Sequence, residues 1–438
     1  MLPSILFALR HAAPLRSGDP DRDIGGRARM HQDHNQTMRF AQVSPHDMHF
    51  VTADTASLRH SGYSVSMPPE MVAPSKDSTT GRFAPARAVL ERAIVERVFP
   101  GAAYGVLHRG SIAALDAVGR FTYEAGATAV KPETVFDLAS VTKVVATTAA
   151  AMLLVDRGVF DLDARLGDIL PGFVVGMEPG SGKERLTLRM LLAHTSGLPA
   201  YETLFREHTT PLALLRATLS LPLEAKPGVR TEYSDFGFIL LGKVVEVLSG
   251  EPLQKFCARE IFAPLGLEAT RFCPLRESKS SIPPTEDDRT YRDRVIQGEV
   301  QDENCFVLGG VAGHAGLFGN VQDLLGFAQC ILAQGRTGHG AALFRPETVE
   351  LFATRNGTPD GKFRALGWDV PTEGSSSGRY FGPRSIGHLG YSGCSLWIDP
   401  DQELGVVLLT NRTWPDRSNN AIKQVRPVFH DAVVEGLR

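Results

Sequence analysis

The sequence predicts a mixed α/β (α+β) protein, with an antiparallel sheet flanked by helices beside an all-helical domain. Three observations predict it. Short strand-like apolar runs occur at residues 102–107 and 111–117, and again near the C-terminus at 393–398 and 404–410. The text from about 161 to 333 is mostly of helical period. The composition, 43% hydrophobic and 22% charged over 438 residues, is that of an ordinary globular chain. Strands from the two ends are natural partners in one sheet, with the helical block inserted between them. A cleft between sheet and block is the default place for a ligand.

In chain order, residues 1–82 read as a disordered extension, rich in Ser, Pro, His and Gly without persistent period. The scatter of His31, His34, His46 and His49 there is either a metal site or a solvated tail, and no helical spacing joins them. Residues 84–97 carry a helical period through Val89, Leu90, Ile94 and Val95. His108-Arg109-Gly110 joins the first two strands as a hairpin. A long apolar helix is predicted over 140–156, and shorter ones over 186–193, 211–219, 234–248 and 322–333. Pro400-Asp401 turns between the last two strands, and a final helix covers 419–435. The expected domain is thus 83–437, with a sheet part at about 83–160 and 336–437 and a helical part at about 161–335.

Net charge is −3, so no basic excess points to nucleic acid or an anionic membrane. No apolar run is read as reaching the ~18 residues of a membrane-spanning helix. The expected partner is therefore a small-molecule or peptide substrate, with oligomeric state open. Cys257, Cys273, Cys305, Cys330 and Cys394 are odd in number and show no CxxC pair. A disulfide framework or zinc site is not expected, and a reducing compartment fits better. The apolar start, Leu2 to Leu9, is short and lacks a preceding basic residue. The expected location is cytoplasmic, or periplasmic or secreted if the start codon is misassigned.

Three constellations carry candidate chemistry. Ser140-Val141-Thr142-Lys143 opens the long apolar helix, and residues three apart share a face, so Lys143 can reach the Ser140 hydroxyl. A buried lysine at a helix N-terminus is expected to have its pKa pushed down and to take the serine proton. A helix cap followed by a surface lysine accounts for the same four residues. Tyr233-Ser234-Asp235 starts a second apolar helix. A tyrosine near two cations can ionise and act as a general base, while Ser234 or Asp235 can equally be a cap. His388-Leu389-Gly390 lies in an edge strand whose glycine admits a substrate backbone; a solvent-side histidine is the plain alternative. His314-Ala315-Gly316 is a rival His-x-Gly. Gly374-Ser375-Ser376-Ser377-Gly378 matches a nucleophile elbow without the flanking strand and helix, and Gly180-Ser181-Gly182-Lys183 is an incomplete phosphate loop.

Ser140-x-x-Lys143, Tyr233-x-Asp235 and His388-x-Gly390, in this order, resemble the serine β-lactamase and penicillin-binding-protein superfamily, on the class C β-lactamase and esterase side. The segments 191–199, Gly316-Leu317-Phe318 with Asp323-Leu324, and 395–400 are also similar to that family's. The resemblance covers about residues 84–437 and implies a β-lactamase-like fold with no metal or cofactor. It implies Ser140 as nucleophile, Lys143 and Tyr233 sharing acid–base work, and an oxyanion hole from the amides of Ser140 and Tyr391. His388 stands where relatives have lysine, and Asp235 where many have asparagine. Both changes are expected to disfavour an anionic substrate, so ester or amide acyl transfer is expected rather than efficient β-lactam hydrolysis.

Pro284-Thr285-Glu286, Asp302-Glu303-Asn304 and the Gly-rich run 309–316 further resemble a branch associated with cell-wall recycling, which includes amidases that cleave muramic acid from peptide. On that reading Glu286, Asp302, Glu303 and Asn304 line the cleft; loop capping explains them equally. The rival to a serine hydrolase is a catalytically weak penicillin-binding or sensing protein on the same scaffold.

Overall fold

A computed structural model describes residues 79–438. The histidines expected in the extension lie outside the described residues. The chain is already helical at Thr79–Arg82, within the segment expected to be extension, and the helix Ala84–Val95 follows.

The strands are β1 (Gly101–His108), β2 (Ser111–Gly119), β3 (Phe136–Asp137), β4 (Arg271–Phe272), β5 (Glu286–Asp288) and β6 (Arg294–Ile296). Then come β7 (Leu317–Gly319), β8 (Asn356–Gly357), β9 (Phe363–Arg364), β10 (Ile386–Leu389), β11 (Ser395–Asp399) and β12 (Leu404–Thr410). The main sheet has the order β10-β11-β12-β1-β2 and is antiparallel throughout. The two ends of the chain meet at β1 and β12, in register from Ala102 opposite Thr410 to His108 opposite Leu404. The hairpin turn expected between β1 and β2 places Arg109 and Gly110 at φ 51° and 75°. Two left-handed residues match the twist of the flanking strands.

Alternation along the central strands sorts their side chains into two cores. Ala103, Leu107, Leu396, Ile398, Val407 and Leu409 face the larger core, which includes the helices Ala139–Asp156 and Val321–Leu332. Tyr104, Val106, Trp397, Val406 and Leu408 face the helices Ala84–Val95 and Ile422–Leu437. There Phe429 meets the edge of Tyr104 at 5.4 Å. Full burial of such a ring is worth roughly 1.5–3 kcal/mol.

Several expectations need correction. The segment 271–319, read as mostly helical, holds four short strands, β4 to β7, in which two or three residues leave no measurable period. The long apolar helix is not uniform. It opens as a 3-10 turn, Ala139–Val141, widens to a π-helix over Lys143–Thr148, and becomes α-helical at Ala149–Asp156. Contrary to the reading of the apolar runs, this 18-residue helix is long and apolar enough to cross a membrane by length and composition; here it is mostly buried in the core. The five cysteines are unpaired, Cys273 exposed and the other four buried.

Candidate active site

The 3-10 turn Ala139–Val141 at the head of the helix puts Lys143 beside Ser140. The lysine side chain is fully buried, and its ammonium donates to three acceptors: Ser140 Oγ at 2.9 Å, Asp235 Oδ1 at 2.7 Å and the His314 carbonyl at 3.1 Å. The three hydrogens of an ammonium are thereby used. Burial works to lower the Lys143 pKa, but the net direction is up, the Asp235 carboxylate being the largest opposing influence. The expectation of a depressed lysine is therefore reversed, because its carboxylate partner comes from 92 residues along the chain. The Tyr233 ring lies 4.9 Å from Nζ. Burial raises the tyrosine pKa more than Lys143 lowers it, so the expected partly ionised phenol is also corrected. At rest Lys143 is charged, Tyr233 is neutral, and the charge of Asp235 is answered by Lys143.

Tyr233 and Asp235 are placed by a helix start. Ser234 caps the helix Asp235–Ser249, its hydroxyl accepting from Gly237 N–H at 3.3 Å. The segment 191–199 supports that start from below. His194 Nδ1 accepts from the Ser234 N–H at 3.1 Å, and its ring packs against Tyr233 at a centroid distance of 4.6 Å, tilted by 31°.

Ser140 opens into a cleft of about 340 Å³ that Tyr233, His388, Gly390 and Tyr391 also line. His388 is on the edge strand β10, but it is buried (3% exposed) rather than solvent-facing. Its Nδ1 sits 2.8 Å from the Leu389 carbonyl, while Nε2 has no partner. Burial, with Lys143 adding to it, pushes the imidazole pKa down to about 3. A neutral ring with Nδ1–H donating leaves Nε2 a buried acceptor without a partner among the described residues. Gly390 does admit a close backbone approach, but the backbone is the protein's own. A Cβ there would lie 2.5 Å from the Leu138 carbonyl. Tyr391 is 47% exposed, and its N–H makes no hydrogen bond among the described residues.

The acidic segment divides. Asp302 caps the short helix Glu303–Val307 and accepts from His314 Nε2 at 2.9 Å, beside the carbonyl that holds Lys143. Burial presses its carboxyl up, but His314 and Lys143 offset this and the net direction is down. Asn304 is a buried clamp, accepting from Phe205 N–H at 3.0 Å and donating to the Glu202 carbonyl at 2.9 Å. Glu303 and Glu286 both pair with Arg417, and Gln301 donates to Glu286 at 2.8 Å. Glu286, Glu303 and Asn304 are thus committed to the protein itself and do not line the cleft that Ser140 opens into. Loop capping describes them better.

Sequence reasoning missed the cations. Arg364, Arg412, Lys423 and Arg426 line the cleft, against one acid, Asp369. Arg426 spends its donors on the carbonyls of Gly390, Gly393 and Cys394, whereas Lys423 has no ion-pair partner among the described residues. The expectation of a cleft hostile to anions followed from His388 and Asp235 alone; these residues add positive charge to it, Arg364 lying 3.6 Å from Asp369. They come from the short strand β9 (Arg364), a turn (Arg412) and the last helix (Lys423 and Arg426), with no motif to flag them. The two decoys fall away. Residues 374–378 form turns, and Lys183 donates to the Leu219 carbonyl at 3.1 Å. Among the described residues no cluster of side chains could hold a metal ion.

A family model described as Beta-lactamase matches residues 86–426. The chain is 35% identical over 353 residues to an N-acetylmuramyl-L-alanine amidase of Bacillus subtilis (strain 168), covering 72% of this chain and 77% of that protein. It is 35% identical over 304 residues to a putative D-alanyl-D-alanine carboxypeptidase of Escherichia coli (strain K12), covering 64% and 69%. Among solved structures it is similar to a penicillin-binding-protein homologue from Caulobacter crescentus, with TM-score 0.64 and 18% identity over 81% of this chain and 97% of that one. It is also similar to EstCE1, a hydrolase with promiscuous acyltransferase activity, with TM-score 0.64 and 22% identity over 81% and 99%. At these identities the two structures speak for the fold.

Proposed function

This chain belongs to the β-lactamase family and is a serine hydrolase that works through an acyl-enzyme, and from that premise we propose that it cleaves the amide between a muramic-acid lactyl group and a peptide. The observation that carries the chemistry is Lys143 Nζ at 2.9 Å from Ser140 Oγ inside a buried pair with Asp235. What supports the substrate class is the likeness to the amidase, together with the cationic lining of the cleft, which suits a product or substrate carboxylate.

In this reading Ser140 Oγ bonds to the carbonyl carbon as its proton passes into the Lys143–Tyr233 network. That network first sheds one proton to serve as base, and its titration belongs to the group as a whole. The backbone N–H groups of Ser140 and Tyr391 receive the charge that develops on the carbonyl oxygen. The C–N bond breaks, the amine leaves with a proton from the network, and water then releases the acyl group. His388, neutral, adds no charge to the cleft at this point.

The test is release of peptide from an N-acetylmuramoyl-peptide, followed by mass spectrometry against Ser140→Ala, with a D-alanyl-D-alanine peptide in parallel. Ser140-dependent release of the whole peptide supports the reading. Release of terminal D-alanine alone would replace it with a carboxypeptidase.

A further inference from the structure

Asp137 ends β3, is buried at 2% exposure, and takes no part in the acyl transfer described above. Its polar atoms reach three segments. Oδ1 accepts from Ala139 N–H at 2.8 Å, Oδ2 accepts from Gln301 N–H at 2.8 Å, and the main-chain oxygen accepts from the Ser392 hydroxyl at 2.7 Å. Each segment adjoins a part of the site: Ala139 precedes Ser140, Gln301 precedes Asp302, and Ser392 follows Tyr391.

Ala139 stands at φ 46°, in the left-handed region that a side chain with a Cβ seldom adopts. Such a conformation persists only where its surroundings over-determine it. Here both main-chain polar groups of Ala139 are held by side chains: Asp137 takes the N–H, and Thr142 Oγ1 donates to the carbonyl at 2.6 Å. A helix start without that turn would aim Ser140 elsewhere.

We propose that Asp137 is a positioning residue for acyl transfer: its carboxylate holds the left-handed turn that aims Ser140 and ties it to the Asp302 segment, while its main-chain oxygen holds the Tyr391 segment. This rests on Ser140 as the nucleophile. An ionised carboxylate accepts both N–H bonds strongly, whereas a carboxylic acid gives one oxygen over to a hydrogen. The groups facing Asp137 are Asp302 and Cys305 of the helix-cap segment, Arg292 between β5 and β6, and Cys394 ahead of β11. Burial raises its pKa more than the two N–H bonds and Arg292 lower it, and Asp302 adds to the rise, bringing it to about 6. The turn therefore loosens as pH falls through that region.

The experiment measures acylation by an activated ester, p-nitrophenyl acetate, across pH for the full chain and for Asp137→Asn, Ala139→Gly and the double variant. Asparagine keeps the shape but presents a donor to one of the two N–H groups. Asp137→Asn is expected to lower the acylation rate at least about tenfold near pH 8, leave KM within about twofold, and abolish the inflection near pH 6. Glycine holds φ 46° without help. Ala139→Gly alone is expected to make that inflection shallower, and in the double variant to restore at least about threefold of the lost rate. A wild-type rate and profile in Asp137→Asn overturns the proposal. If that variant fails to fold, an unaltered inflection in Ala139→Gly overturns it instead. Ester turnover surviving in Ser140→Ala strikes the acyl-enzyme reading, an outcome distinct from either.

Discussion

Asp235→Asn removes the charge opposite Lys143 while keeping an oxygen for its hydrogen bond. The charges lie 2.7 Å apart, with the lysine fully buried and Asp235 at 18% side-chain exposure. At an effective dielectric of about 20, their attraction is roughly 6 kcal/mol. Desolvation of both groups and the retained hydrogen bond bring the expected loss of stability to about 3 kcal/mol at neutral pH, the low end for breaking a buried pair. The loss has a pH signature. In the wild type the Lys143 pKa is raised, so its contribution is present below the unfolded value of ~10.4 and is lost as pH rises through the folded one. In the variant, burial acts unopposed, the folded pKa falls below the unfolded value, and stability rises with pH. The gap between the two proteins therefore closes toward alkaline pH. Urea unfolding between about pH 6 and 9.5 measures it. The same variant moves the alkaline rise in kcat/KM to lower pH, since Lys143 then loses its proton more readily. A difference under about 1 kcal/mol that is flat with pH would refute the pairing argument.

Arg417→Ala removes the ion-pair partner shared by Glu286 and Glu303, whose side chains are 9% and 5% exposed. Urea unfolding near pH 7 is expected to show a loss of about 3 kcal/mol, and a loss under about 1 kcal/mol would contradict it. His388 has its folded pKa at about 3, so stability falls as pH drops below the unfolded value of ~6.5, by about 3 kcal/mol by pH 4. His388→Asn removes that share of the acid sensitivity, which unfolding curves at about pH 4 and 7 compare. Gly390→Ala drives a methyl to 2.5 Å from the Leu138 carbonyl, two residues ahead of Ser140. It is expected to cost about 1–3 kcal/mol and at least tenfold in acylation rate, read by stopped-flow ester hydrolysis.

Much of this site was legible because local periodicity places it. Ser140 and Lys143 share a helix face at spacing three, and Ser234 marks the helix start that presents Tyr233 and Asp235. The sheet was legible because β1, β2, β11 and β12 are long enough to read as strands. The remainder depends on contacts between distant segments. Whether Lys143 is charged depends on Asp235, 92 positions away. Whether Glu303 faces a ligand depends on Arg417, 114 positions away. The cations Arg364, Arg412 and Lys423 converge from the two-residue strand β9, a turn and a helix start, and the strands β4 to β7 are too short to carry a period. The left-handed Ala139 has no signature in sequence, because alanine ordinarily favours a right-handed helix.

The central claim is a covalent intermediate on Ser140. Intact-protein and peptide mass spectrometry after a brief exposure to an activated ester, quenched in acid, tests it most directly. The account predicts one added acyl group, located on the peptide that contains Ser140 and absent from Ser140→Ala. An equal adduct on Ser140→Ala, or ester turnover that survives that substitution, would contradict it.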